Sequence, residues 1–108
     1  MDIMPRCDGH VLVIPKAPSR TLLDTAPETL AALMPRVQKV ARATVAAFSA
    51  DGLTLQQFNE SAGGQVVFHL HFHILPRKDG MSLRPHTGQM ADNAVLAAHA
   101  ERIRAALD

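Results

Sequence analysis

The chain has 108 residues, a formal net charge of +1 with its histidines neutral, one cysteine, and neither Trp nor Tyr. That length suits one small domain, residues 1–108, with a modest core. Its 47% hydrophobic fraction argues against disorder, its near-neutrality against a protein that grips nucleic-acid backbone, and its lone cysteine against an internal disulfide.

The first predicted element is a strand at Val11, Leu12, Val13 and Ile14, bounded by Gly9 and Pro15 and opened by His10. Four consecutive aliphatic residues predict burial on both faces. Residues 16–24 read as a loop around Pro18. Thr25-Ala26-Pro27-Glu28 matches a capping box with Thr25 as N-cap and Pro27 in the first turn. Leu30, Leu33, Met34, Val37, Val40, Ala41, Val45 and Phe48 then recur at helical spacing. Pro35 is expected to kink or split this helix, and Asp51-Gly52 to end it. Residues 53–59 have strand character, Ser61 to Gly64 form a turn, and residues 66–75 read as the clearest strand, bounded by Pro76. Residues 77–89, which include His86, are a predicted loop. Asp92 caps a last helix with Val95, Leu96, His99, Ile103 and Leu107 inward. No apolar run approaches the roughly 18 residues of a membrane span, and residues 1–5 lack a signal peptide's apolar stretch, which predicts a cytoplasmic protein. Two strands joined by a Gly-Gly turn predict an α+β fold with an antiparallel sheet.

Six histidines are unusual in so short a chain, and three fall within residues 69–73. Strand alternation puts His69, His71 and His73 on one face, with Leu70, Phe72 and Ile74 on the other. Such a row has three readings: a solvated face, a metal site, or catalysis on phosphorus. Imidazole is the usual zinc ligand, yet no acidic residue lies within the strand. A neutral imidazole can also attack phosphorus without a separate base, while its neighbours steady phosphate oxygens and protonate a leaving group. Just upstream, Asn59, Ser61, Gly63, Gly64 and Gln65 combine a small-residue turn with amide side chains, which suits an anion.

His69-Leu70-His71-Phe72-His73-Ile74-Leu75 resembles the histidine triad signature, with apolar residues alternating between histidines. Gly64-Gln65, Asn59, Pro76-Arg77 and the stretch Gly9-His10-Val11-Leu12-Val13-Ile14-Pro15-Lys16 fit the same family. The likeness is strongest to its bacterial members and to its fragile-histidine-triad hydrolase branch. The resemblance implies a hydrolase or nucleotidyl transferase acting at the α-phosphate of a nucleotide conjugate, without a metal or other cofactor. It implies His71 as the nucleophile and His73 as the contact to phosphate and leaving-group oxygens. His69 and His10 would orient the nucleophile, with the His69 carbonyl fixing the His71 tautomer. Asn59, Gly64 and Gln65 would bind near the phosphate, Asp2 would meet the ribose hydroxyls, and Ile3 would touch the base. It further implies a homodimer in which the long helix takes part.

Two departures stand out. Val66 occupies the place of a Ser or Thr whose hydroxyl donates to the phosphate. The helix and strand pair that usually precede Asp2 are missing, so the chain is expected to be an N-terminally shortened domain. Competing readings are a metal enzyme built on His69, His71 and His73, and a non-catalytic binding or dimerisation module. A lone Cys7 argues against a cysteine-based zinc site.

Overall fold

The computed structural model describes residues 1–85 and 90–107; His86 lies outside them. Strand β1 spans Val11–Val13, helix α1 Pro27–Ala47, strand β2 Gly52–Gln56, strand β3 Phe72–Arg77 and helix α2 Asn93–Ala106. The three strands form an antiparallel sheet in the order β1-β3-β2. The fold is α+β, as the element order predicts.

The core lies between β3 and α1. Leu70, Phe72 and Ile74 alternate onto one face and meet Leu33 and Val37 of α1, with Val11 and Val13 packed alongside. Each such side chain contributes about 1.5–3 kcal/mol on full burial. Burial on both faces belongs to β3, whose Phe72, His73, Ile74 and Leu75 are all buried. It does not belong to β1, an edge strand that is half-buried throughout and followed by an exposed Ile14.

Helix α1 differs from its expected form at three points. Its N-cap is Ala26, because the Thr25 hydroxyl donates to the Thr21 carbonyl at 2.5 Å and so turns away from the helix. Pro27 takes the first helical position. Pro35 neither splits nor ends the helix, which runs unbroken for 21 residues. Pro35 and Ala31, the residue whose carbonyl loses an amide partner, are both exposed, while buried Leu33 and Val37 anchor the helix on either side. The helix stops at Phe48, followed by Ser49 at φ 49. Asp51 already belongs to the sheet margin, donating its N–H to the Arg77 carbonyl at 2.9 Å.

The expected hairpin is looser than predicted. β2 and β3 do pair, but residues 57–71 between them form a long connection containing a 3-10 turn at Ser61–Gly63. Residues 66–71 are not strand, and the backbone groups of Leu70 and Val67 bond outside the sheet ladder. The Leu70 N–H donates to the Ser19 carbonyl at 2.8 Å, and the Gln65 amide donates to the Arg20 and Val67 carbonyls. β3 instead continues through Pro76, opposite Leu53. The sheet is two strands wide there, since β1 begins only at Val11, opposite Ile74, so one side of β3 has no strand among the described residues to receive an amide.

Helix α2 begins at the expected cap, with the Asp92 carboxylate accepting the Ala94 N–H at 2.7 Å. Leu96 and Ile103 are buried as expected, while Val95 and Leu107 face outward. No helix among the described residues is long and apolar enough to cross a membrane. Phe48 joins this end of the molecule. His99 meets its ring edge-on at 5.1 Å, and the Arg102 guanidinium lies 4.2 Å above it. Gly9, at φ +85, packs so closely that a Cβ would come within 2.7 Å of the ring. Gly9→Ala should therefore cost about 2–4 kcal/mol in urea denaturation, combining left-handed strain with overpacking. Gly52→Ala, whose added methyl would meet nothing within 4 Å, should stay within about 0.5 kcal/mol.

Candidate active site

Strand register explains how the histidines meet. His73 stands opposite Leu12 of β1 and Gln56 of β2. His10 lies two residues before Leu12, so it is the diagonal neighbour of His73 on the same face. The two rings lie 5.2 Å apart and share a hydrogen bond of 2.9 Å between His10 Nε2 and His73 Nδ1. Both side chains are buried. His71 precedes β3 and meets His73 edge-on at 4.8 Å, and Phe58 meets His73 from another side at 5.6 Å. His71, His73, His10 and Asp2 thus gather into one cluster, which His69 joins through its backbone carbonyl while its ring bonds the Pro15 carbonyl; His69 and His71 lie ahead of the strand expected to carry them.

The backbone determines which ring nitrogens hold protons. A carbonyl only accepts, so His71 Nδ1, 2.6 Å from the His69 carbonyl, carries the hydrogen. In the neutral ring the lone pair is then on Nε2. By the same reasoning His69 Nε2 donates to the Pro15 carbonyl at 2.8 Å. An amide only donates, so the Arg6 N–H at 3.1 Å makes His10 Nδ1 an acceptor and places the His10 proton on Nε2. That proton points to His73 Nδ1.

Asp2 completes the cluster. Its Oδ1 accepts the Met4 N–H at 2.9 Å, and its own N–H donates to the His10 carbonyl at 3.0 Å. These bonds aim Oδ2 at the buried pair, 3.4 Å from His10 Nε2 and 3.9 Å from His73 Nδ1. The three atoms form a triangle of a size that a metal ion could bridge. The proton arrangement opposes that use, because a neutral His10 ligating through Nε2 would have to carry its hydrogen on Nδ1, against the Arg6 N–H.

The other candidate residues are held by bonds of their own within the neighbouring loops. The Gln65 side chain accepts the Glu60 N–H at 2.7 Å and gives its amide hydrogens to Arg20 and Val67, so it braces the loop from within. Asn59 Oδ1 accepts from the Leu22 N–H and from Gln57, at 2.8 Å each. The amides of Gly63, Gly64 and Gln65, expected to be available to an anion, instead donate to the Glu60 and Ser61 carbonyls. Gly64, at φ +96, leaves room for Phe58, which a Cβ would approach to 3.3 Å. Arg20 grips Glu60 through Nε and Nη2 and lies 4.4 Å above the Phe68 ring. That hydrogen bonding holds the Glu60 carboxyl below its ordinary range. Val66 is 83% exposed, and Ile3 is exposed with its carbonyl accepting the Ala91 N–H. Burial pushes the Cys7 thiol up, and the Cys7 carbonyl accepts the His10 N–H. The Arg6 amide, the Pro15 carbonyl and Phe58 are parts of the site that sequence reasoning misses. Backbone groups leave no trace in residue identity, and a lone Phe reads as core.

A HIT domain family model matches residues 1–80. The chain is 42% identical over 79 residues to adenylylsulfatase HINT3 of Arabidopsis thaliana, covering 73% of this chain and 40% of that protein. It is 35% identical over 82 residues to adenosine 5'-monophosphoramidase HNT1 of Saccharomyces cerevisiae, covering 76% and 49%. It therefore spans less than two thirds of the length of these curated relatives. The crystal structure of a Hit-like protein involved in cell-cycle regulation from Bartonella henselae superposes with a TM-score of 0.94 at 52% identity, covering 99% of this chain and 77% of that one. The family match, these likenesses and the α+β fold together place the chain in the HIT family.

Proposed function

We propose that this protein is a cytoplasmic nucleotide hydrolase or nucleotidyl transferase acting at the α-phosphate of a nucleotide conjugate, through a covalent nucleotidyl-histidine on His71. The observation that carries this reading is the 2.6 Å bond from His71 Nδ1 to the His69 carbonyl, which leaves the Nε2 lone pair for attack. The relatives named as an adenylylsulfatase and an adenosine monophosphoramidase support the reaction class.

In the first step His71 Nε2 forms a bond to phosphorus and the bond to the leaving group breaks. Nδ1 keeps its hydrogen, so the intermediate is an imidazolium whose N–H rests on the His69 carbonyl. Water then forms a bond to phosphorus, the P–N bond breaks, and the nucleotide leaves. His73, edge-on to His71 at 4.8 Å, contacts the phosphate and leaving-group oxygens. Asn59, Gly64 and Gln65 act as positioning residues that hold the loop carrying His69 and His71. No resident metal or cofactor enters these steps.

Brief exposure to a nucleotide labelled in the α-phosphate should leave label on the protein through an acid-labile, base-stable bond, and His71→Ala should abolish it. Absence of label with a dinucleoside polyphosphate, adenosine phosphoramidate and a nucleoside monophosphate ester would refute the mechanism. Val66 offers no hydroxyl at a position where a charge-assisted hydrogen bond contributes about 1.5–3 kcal/mol. Val66→Thr should accordingly raise kcat/KM by about tenfold or more, and an unchanged value in steady-state assays would remove Val66 from the account. Exposed Met34 on α1 and exposed Leu53 and Leu55 on edge strand β2 suit pairing with a second copy as a homodimer. Sedimentation equilibrium should give twice the chain mass, and a monomer would end that part of the proposal.

A further inference from the structure

The buried pair behind His71 poses a problem of proton accounting. With the Arg6 N–H on His10 Nδ1, His10 must donate through Nε2, and His73 Nδ1 receives that hydrogen. A neutral His73 in this arrangement carries its own hydrogen on Nε2. It cannot give that hydrogen to a leaving group, because the ring would become an imidazolate. To act as an acid, His73 must hold hydrogen on both nitrogens, and its Nδ1–H would then face the Nε2–H of His10 at 2.9 Å. Each hydrogen then needs an acceptor other than the facing ring, and one oxygen within reach of both nitrogens can serve the two together.

We propose that Asp2 is that acceptor, a positioning residue that allows His73 to become the proton-carrying acid of the reaction. Its Oδ2 lies 3.4 Å from His10 Nε2 and 3.9 Å from His73 Nδ1, and it is already turned toward them by the Met4 N–H on Oδ1. A small closing movement moves both N–H groups from each other onto one carboxylate oxygen. The Nδ1–H of His73 then remains on Asp2 throughout. Nε2 delivers its hydrogen to the leaving group as the P–O bond breaks, and it recovers one from the attacking water as the P–N bond breaks. Protons balance over the cycle. Among the described residues, His10, His71 and Asp2 are titratable groups set against His73, and His73 and Asp2 are set against His10. Of these groups, Asp2 is the carboxylate.

The catalytic meaning rests on the function proposed above, whereas the hydrogen-bonding argument concerns the substrate-free protein. The test is therefore made there, by 15N-histidine NMR titration of the whole chain as wild type, Asp2→Asn and Asp2→Glu. An anion favours the imidazolium, so its removal makes protonation harder. Asp2→Asn should take up the His73 proton at a pH lower by about one unit or more, about tenfold in the protonation constant. Asp2→Glu should stay near wild type, and the acid-side limb of the kcat profile should move with the titration. Superimposable titrations of wild type and Asp2→Asn would overturn the inference. So would an Asp2→Asn defect confined to KM and seen with ribose substrates but not with their 2',3'-dideoxy counterparts. A displaced titration in a protein that never labels His71 would support the role of Asp2 while refuting the proposed reaction.

Discussion

The main chain decides where the protons of this site reside. A carbonyl can only accept and an amide can only donate, so three backbone groups impose the proton arrangement of three rings. The His69 carbonyl orients His71, the Pro15 carbonyl orients His69, and the Arg6 amide orients His10. Side-chain partners would leave these rings free to exchange tautomers. Backbone partners do not, so the fold itself selects Nε2 as the lone-pair nitrogen of His71.

The packing exists to bring those backbone groups into place. β3 is central: its apolar face fixes the strand to α1 through Phe72 and Ile74, and its other face presents His73 to the diagonal position held by His10, the residue just before β1. The tight passage of Gly9 beneath Phe48 sets the path of the chain into His10. Phe48 is in turn held by α2 through His99 and Arg102. Helix α2 therefore bears on the path of the chain into His10 through Phe48 and Gly9.

Much of this is legible in the sequence, and the limits have physical causes. The cluster of histidines is legible because alternation and the triad spacing are properties of the residues themselves. The Asp92 cap is legible because its partner lies two residues away. Thr25 misleads because its hydroxyl has a second local acceptor, the Thr21 carbonyl, which the capping pattern does not register. The reach of the strand before β3 is overestimated because a competing partner of Leu70, the Ser19 carbonyl, comes from a loop about fifty residues upstream. The turn at Gly63 and Gly64 looks like an anion cradle because residue type suggests available amides, whereas its own curvature consumes them. Asp2 is visible as an acidic residue, but its orientation toward His10 depends on the Met4 amide, which has no signature in composition.

The connection that carries His69 and His71 lies outside the sheet ladder and is tied by individual bonds, from Leu70 to Ser19 and from His69 to Pro15. Leu70 nonetheless roots the connection in the core beside Leu33 and Val37, so local opening is confined to what precedes it. Val66, Val67 and Phe68 are exposed and have the least cooperative support, which lets them open while the core stays packed. The buried His10–His73 pair stands on the strand side of that boundary, and the exposed stretch at Val66 to Phe68 stands on the other.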